Sequence, residues 1–157
     1  MTEGPDAVTA QAGELVAVYG TLRRGGRLHH VLGTDRGRAA HVGDAQIEGE
    51  LYEVAPAFHV ADVDTSYPCL HPGPGRVVVE LYEVRDRALW DDLDELEGFD
   101  PAAPDACEYH RRRIPLFDVG PNLPDVTEAW TYVYVRTGPD PQRRIDDGDW
   151  IAFTGGR

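Results

Sequence analysis

Only one stretch of this 157-residue chain carries a clear helical spacing of apolar residues, and that scarcity limits the fold more than any other feature. Along residues 87–97, Leu89, Trp90, Leu93 and Leu96 fall in one arc when each residue advances by about 100°. Asp86 stands where an N-cap belongs, and Gly98 stands where such a helix ends. Residues 28–32 read as a second, short helical piece. The other regular segments read as strands: 15–19, 46–54, 77–84, 109–119 and 129–136. The connection 55–76 reads as a loop rich in Pro and His. Strands dominate, and helices do not alternate with them, which argues against a doubly wound parallel sheet. The expected class is α+β, with a mixed, mainly antiparallel, barrel-like sheet. No linker divides it, so residues 14–157 read as one domain behind a loose tail, 1–13.

The pentapeptide Glu-Leu-Tyr-Glu-Val occurs at 50–54 and again at 80–84. It is too short for an internal repeat, and it suggests two strands in similar half-buried settings.

Composition removes whole classes of function. The net charge is −13. Such a surface repels phosphate backbones and anionic membranes, so neither nucleic acid nor membrane is an expected partner. All 15 basic residues are Arg, which removes Schiff-base chemistry and the phosphate-loop lysine together. The one Ser, Ser66, is not in a nucleophile-elbow context, so a serine hydrolase is not expected. Cys69 and Cys107 lie far apart in no metal or redox spacing and read as reduced thiols. The N-terminus lacks a basic start and an apolar run, so it does not read as a signal peptide, and a cytoplasmic location is expected.

Two features point to chemistry. Glu97 lies inside the apolar arc, between Leu93 and Trp90, and in the last helical turn, where the helix dipole disfavours negative charge. Burial raises a carboxyl group's proton affinity, which suits a general acid/base. The alternative is that Glu97 turns to solvent or pairs with an arginine such as Arg111. Asp91, Asp92, Asp94 and Glu95 read as the solvated face. The second feature is Tyr19-Gly20-Thr21-Leu22, where an apolar strand stops in a turn. Successive backbone N–H groups there can form an anion site, and Gly20 would let a ligand approach closely. Equally, the segment can be only a turn. Arg23 and Arg24 can help attract an anion or simply face solvent.

These segments combine into a pattern. Tyr19-Gly20-Thr21-Leu22-Arg23-Arg24-Gly25 followed by His29-His30 resembles the opening signature of the gamma-glutamylcyclotransferase-like family. Leu93-Asp94-Glu95-Leu96-Glu97-Gly98-Phe99 resembles its acidic signature, and Tyr109-His110-Arg111 its Tyr-x-Arg element. Ala129-Trp130-Thr131-Tyr132-Val133-Tyr134 and Gly148-Asp149-Trp150 resemble its closing strand and tail. The loop 101–106 and the run Arg111, Arg112, Arg113 stand outside the pattern. The resemblance implies a small mixed β-barrel with flanking helices. It implies a small-molecule γ-glutamyl substrate, whose free α-amine attacks its own γ-carbonyl to give 5-oxoproline and a released amine or amino acid. Glu97 would move the proton, and Tyr19, Gly20, Thr21 and Leu22 would hold the substrate through their backbone. Tyr109 and Tyr134 would line the pocket, or are ordinary strand tyrosines. No metal or cofactor is implied. The reaction needs no Ser, Cys or Lys, because its nucleophile belongs to the substrate and a folded, near-attack shape provides much of the rate.

The six histidines show no ligand spacing, and Trp130 and Trp150 read as core or rim. Two other functions stand beside the cyclotransferase reading. One is a non-catalytic module that binds a small anion on the same fold. The other is a different acid/base reaction in the same pocket, such as tailoring a natural product that carries a γ-glutamyl protecting group. The sequence leaves the leaving amine and the oligomeric state open.

Overall fold

A computed structural model describes residues 13–54, 67–107, 109–134 and 142–154. Six strands are present: β1 (Leu15–Val18), β2 (Ala39–Val54), β3 (Tyr67–Val84), β4 (Tyr109–Phe117), β5 (Glu128–Tyr134) and β6 (Gln142–Arg144). Helix α1 spans Ala88–Glu97 and α2 spans Trp150–Thr154. Neighbouring strands run β3-β1-β5-β4-β2, and β2 pairs again with β3, so five strands close into a barrel. Closure leaves these five without a free edge. The pairings are antiparallel except β1 with β5, which is parallel. β6 adds to β2 beyond the stretch that pairs with β4. The expected class, α+β built on a small mixed, mainly antiparallel barrel with flanking helices, is the observed one.

Strand alternation divides the core. Ala17 and Tyr19 of the first segment join Ile47, Leu70, Val79, Leu116 and Val133 from the other barrel strands. Val16 and Val18 face the other way and pack with Leu89, Trp90 and Leu93 of α1. A single short strand thus serves two cores because its side chains alternate. The helix forms as its spacing predicts: Asp86 Oδ1 accepts from the Ala88 amide at 3.0 Å, and Gly98 ends it with φ 68°.

Strands run further than the sequence suggests. β2 begins at Ala39, and β3 takes in residues 67–76 of the expected loop. Pro72 and Pro74 are tolerated because residues 72–75 stand opposite Gly49, where the register shifts and ladder bonds are interrupted, and Pro68 is the second residue of the strand, opposite Glu53. Residues 55–66 lie outside the described set, as do 1–12 of the expected tail and 135–136 of the expected last strand. The two copies of the pentapeptide do not share a setting. Glu50 and Tyr52 are half-buried, whereas Glu80 is 4% exposed and Tyr82 is fully buried. In the second copy Leu81 packs with the barrel strands, while Tyr82 and Val84 pack with Leu89, Trp90 and Leu93 of α1.

Candidate active site

The chain turns directly after β1. Every carbonyl of the turn is engaged: the Arg23 amide donates to Gly20 at 3.0 Å, the Leu28 amide to Thr21 at 3.0 Å, and His29 Nδ1 to Leu22 at 2.8 Å. Among the described residues, the amides of Gly20, Thr21 and Leu22 have no partner. These three residues line a cleft. Consecutive N–H groups without acceptors make a concavity suited to an anion or a polarised oxygen.

Gly20 is required by packing rather than by its own dihedral angles. A Cβ there would lie 2.2 Å from Cγ of Pro68, so the nearest approach to Gly20 is a proline ring. Pro68 also lines the cleft, and its carbonyl accepts from the Tyr109 hydroxyl at 3.2 Å.

Arg23 does not face solvent. It is buried, with Nε 3.1 Å from Glu80 and Nη1 2.7 Å from Asp149. The Arg24 amide and the Tyr82 hydroxyl also donate to Glu80, at 2.9 and 2.8 Å. Arg23 is therefore engaged internally rather than held ready for an anion. Burial is the first cause that pushes the Tyr82 hydroxyl up, and the bond to Glu80 adds to it. The network ties the turn to β3 and to the start of α2, where Asp149 Oδ1 also accepts from the Ala152 amide.

Glu97 ends α1, is half-buried, and lines the same cleft. Loss of surrounding water pushes its carboxyl up to about 7. The group thus holds and releases a proton near neutrality. Burial and then the nearby Glu97 charge raise the Tyr19 hydroxyl well above its ordinary range. Tyr19 donates that hydroxyl to the Tyr132 carbonyl at 2.7 Å.

Arg111 pairs with Asp94 rather than with Glu97. Asp94 is accordingly buried, against the expectation of a solvated face. Its charge is balanced by Arg111, and its other oxygen accepts from the Tyr132 hydroxyl at 2.6 Å. At 100° per residue Asp94 stands about 40° from Trp90, at the border of the apolar arc, which was the available signal. Tyr132 was also missed as a site residue; it shares a strand face with Trp130, which alternation permits reading. Pro68 offered no local signal, because its role depends on Gly20 lying opposite.

The cleft has two compartments. An inner slot of about 30 Å³ is lined by Tyr19, Gly20, Thr21, Leu22, Glu97 and Tyr132, among others. An outer chamber of about 370 Å³ is lined by Arg27, Leu28, Glu95, Leu96 and Tyr109. Thr21, Pro68 and Glu97 border both. The structure thus brings together Glu97, Tyr19, Gly20, Thr21, Leu22 and Tyr109. Tyr134 pairs with Tyr109 through the backbone, but its side chain lies outside the described part. Among the described residues, no three His, Cys, Asp or Glu side chains cluster to hold a metal ion, and no helix is long and apolar enough to cross a membrane. Cys69 and Cys107 are buried, and among the described residues neither forms a disulfide.

Comparison with known proteins agrees with this architecture. An uncharacterized protein from Pyrococcus horikoshii is 25% identical, with a TM-score of 0.59 over 90% of this chain and 92% of that one. The protein ytfP from Escherichia coli is 26% identical, with a TM-score of 0.55 over 89% and 98%. Kluyveromyces lactis allophanate hydrolase shares the fold alone: 17% identity and a TM-score of 0.63, over 91% of this chain but 21% of that one. No curated protein matches the sequence. Residues 16–152 match the family described as gamma-glutamyl cyclotransferase, AIG2-like, and so take in the turn after β1, all of α1 and the start of α2. By that match, with the closed barrel beneath it, the chain belongs to the AIG2-like gamma-glutamyl cyclotransferase family.

Proposed function

We propose that this protein converts a small γ-glutamyl compound into 5-oxoproline and a free amine or amino acid. The observation that carries this reading is the position of Glu97 on the border between the two compartments. A group placed there reaches both ends of the proton's path. The glutamyl head lies toward the slot, with its polar end against the amides of Gly20, Thr21 and Leu22. The leaving amine lies in the outer chamber.

Glu97 takes a proton from the α-ammonium. The freed amine then forms a bond to the γ-carbonyl carbon, and the carbonyl oxygen takes up negative charge. As the tetrahedral centre collapses, the bond to the leaving nitrogen breaks, Glu97 returns the proton to that nitrogen, and the ring nitrogen gives up its second proton, which leaves on the released amine as its ammonium. Atoms and charge balance without a second reactant. A carboxyl held near 7 serves both steps, because neither protonation state is rare at neutral pH. Holding the chain folded supplies the remaining advantage.

The test is a panel of γ-glutamyl amines, amides and amino acids, with 5-oxoproline as the readout. Release of 5-oxoproline that disappears in Glu97→Gln supports the reading. Binding without turnover across the panel would place the protein among non-catalytic binders on this fold. Turnover unaffected by Glu97→Gln would overturn the mechanism.

A further inference from the structure

Glu97 is not the only carboxyl that α1 drives into the protein. Asp94 stands three residues earlier on the same helix, a spacing that makes neighbours of side chains. Both of its oxygens are engaged: Oδ2 by Nη1 of Arg111 from β4, and Oδ1 by the hydroxyl of Tyr132 from β5. The guanidinium of Arg111 lies 5.4 Å from the ring centroids of Phe99 and Trp130 and 5.7 Å from that of Trp90. Such an enclosed ion pair is a weak stabiliser of a fold, since desolvating two charges offsets most of their attraction. Its placement beside Glu97 gives it another use. Tyr132 faces both carboxyls: after burial, Asp94 and then Glu97 raise its hydroxyl.

We propose that Asp94, Arg111 and Tyr132 form a positioning unit that holds the last turn of α1 so that Glu97 reaches the slot, and that keeps the charge around Glu97 balanced. The inference rests on Glu97 being the proton carrier of the reaction proposed above. The titratable and charged groups that line the cleft with Glu97 are Tyr19 at the end of β1, Tyr109 from β4, Tyr132 from β5, Glu95 from α1 and Arg27; Cys69 from β3 stands behind Tyr19, and Asp94 with Arg111 from β4 stands behind Tyr132. Of these, Asp94 and Arg111 are a buried pair of opposite formal charges that cancel. Removing either one changes the net charge of the unit beside Glu97 by one.

The sign of each change follows. Arg111→Met leaves the Asp94 carboxylate uncompensated, and a negative neighbour makes Glu97 harder to ionise. Asp94→Asn removes a negative charge one helical turn from Glu97 while the Arg111 cation stays, which makes Glu97 easier to ionise. The double variant restores neutrality.

The experiment is a carboxyl-carbon NMR titration of Glu97 in the full chain, its signal assigned by its loss in Glu97→Gln. The midpoint rises by about one pH unit in Arg111→Met, falls by about one in Asp94→Asn, and returns close to the parent value in the double variant. Midpoints that fall in both single variants, as simple loosening of the helix would cause, overturn the proposal. So do unmoved midpoints, or a double variant that keeps the shift of either parent. If Arg111→Met alone does not fold, Asp94→Asn and the double variant decide: a fall that the second substitution reverses supports the unit, and any other result overturns it. These midpoints are independent of turnover. A wild type that makes no 5-oxoproline but shows the shifts refutes the reaction and leaves the charge balance standing.

Discussion

Pro68 covers Gly20 so closely that a single added carbon would fall 2.2 Å from its Cγ. The residue that begins the run of unpaired amides is thus fixed by β3, a strand that joins it only in the closed barrel. Gly20→Ala must push either the turn or Pro68 away, at about 1–3 kcal/mol. Chemical denaturation should show that loss, and substrate affinity should fall with it. Adding Pro68→Ala removes the colliding Cγ and should recover most of the stability.

Glu97→Gln should reduce kcat by about 10²- to 10⁴-fold, the usual range for removing a general acid/base. Binding of a γ-glutamyl compound, followed calorimetrically, should change by only a few fold, because the amide turn is untouched. An equal loss in binding would place Glu97 among the holding groups instead.

The carboxyl held at about 7 also makes a stability prediction. Its ordinary value is 4.5, so between those values the folded state carries more proton than the unfolded one. Stability contributed by this group is complete below about pH 4.5, falls as pH rises toward 7, and is level above it. Glu97→Gln removes that slope. Because the cleft admits water, the gain of the variant over wild type at pH 8 should be about 2 kcal/mol rather than the full linkage value. Parallel denaturation series at pH 5 and pH 8 measure it.

Arg23→Met strands the buried Glu80 without its 3.1 Å partner. Arg24 Nε stays 3.7 Å from Glu80, so the single variant costs about 1–3 kcal/mol, and neutralising both sides costs less. The double variant with Glu80→Gln should therefore be more stable than Arg23→Met alone. Because Arg23 immediately follows the amide turn, KM should rise in the single variant.

The outer chamber should govern the choice of leaving group. Leu96 is 39% exposed and borders that chamber but not the slot. Leu96→Asp should reorder the panel of γ-glutamyl compounds while leaving turnover of a small amide within a few fold. A uniform change across the panel would mean that the leaving amine lies elsewhere.

Much of this was legible in the chain itself, and the reasons are local. The phase of Leu89, Trp90 and Leu93 put Glu97 inside the apolar arc without deciding between core and solvent, and Gly98 marked the end of α1, because both depend on helical geometry alone. The strand before Gly20 followed from an uninterrupted apolar run. Asp94 was misread for a related reason: at the edge of the arc, local phase cannot decide between solvent and a partner. Arg111 decided it, from 17 residues away. Arg23 was equally ambiguous until Glu80 and Asp149 were seen to surround it.

The sequence by itself determined the class of fold, the place of Glu97 within the apolar arc and the turn after the first strand. Each is a property of neighbouring residues, set by the periods of helix and strand. Only the tertiary structure decided that Glu97 borders both compartments, that Pro68 sits over Gly20, and that Arg23, Asp94 and Arg111 are buried with partners. Those outcomes depend on tertiary contacts: closing β1 between β3 and β5 sets Pro68 over Gly20 and Glu80 beside Arg23, and packing α1 on the barrel brings Asp94 to Arg111 of β4. No local pattern carries that information, because burial of a charge is decided by the opposite charge it meets.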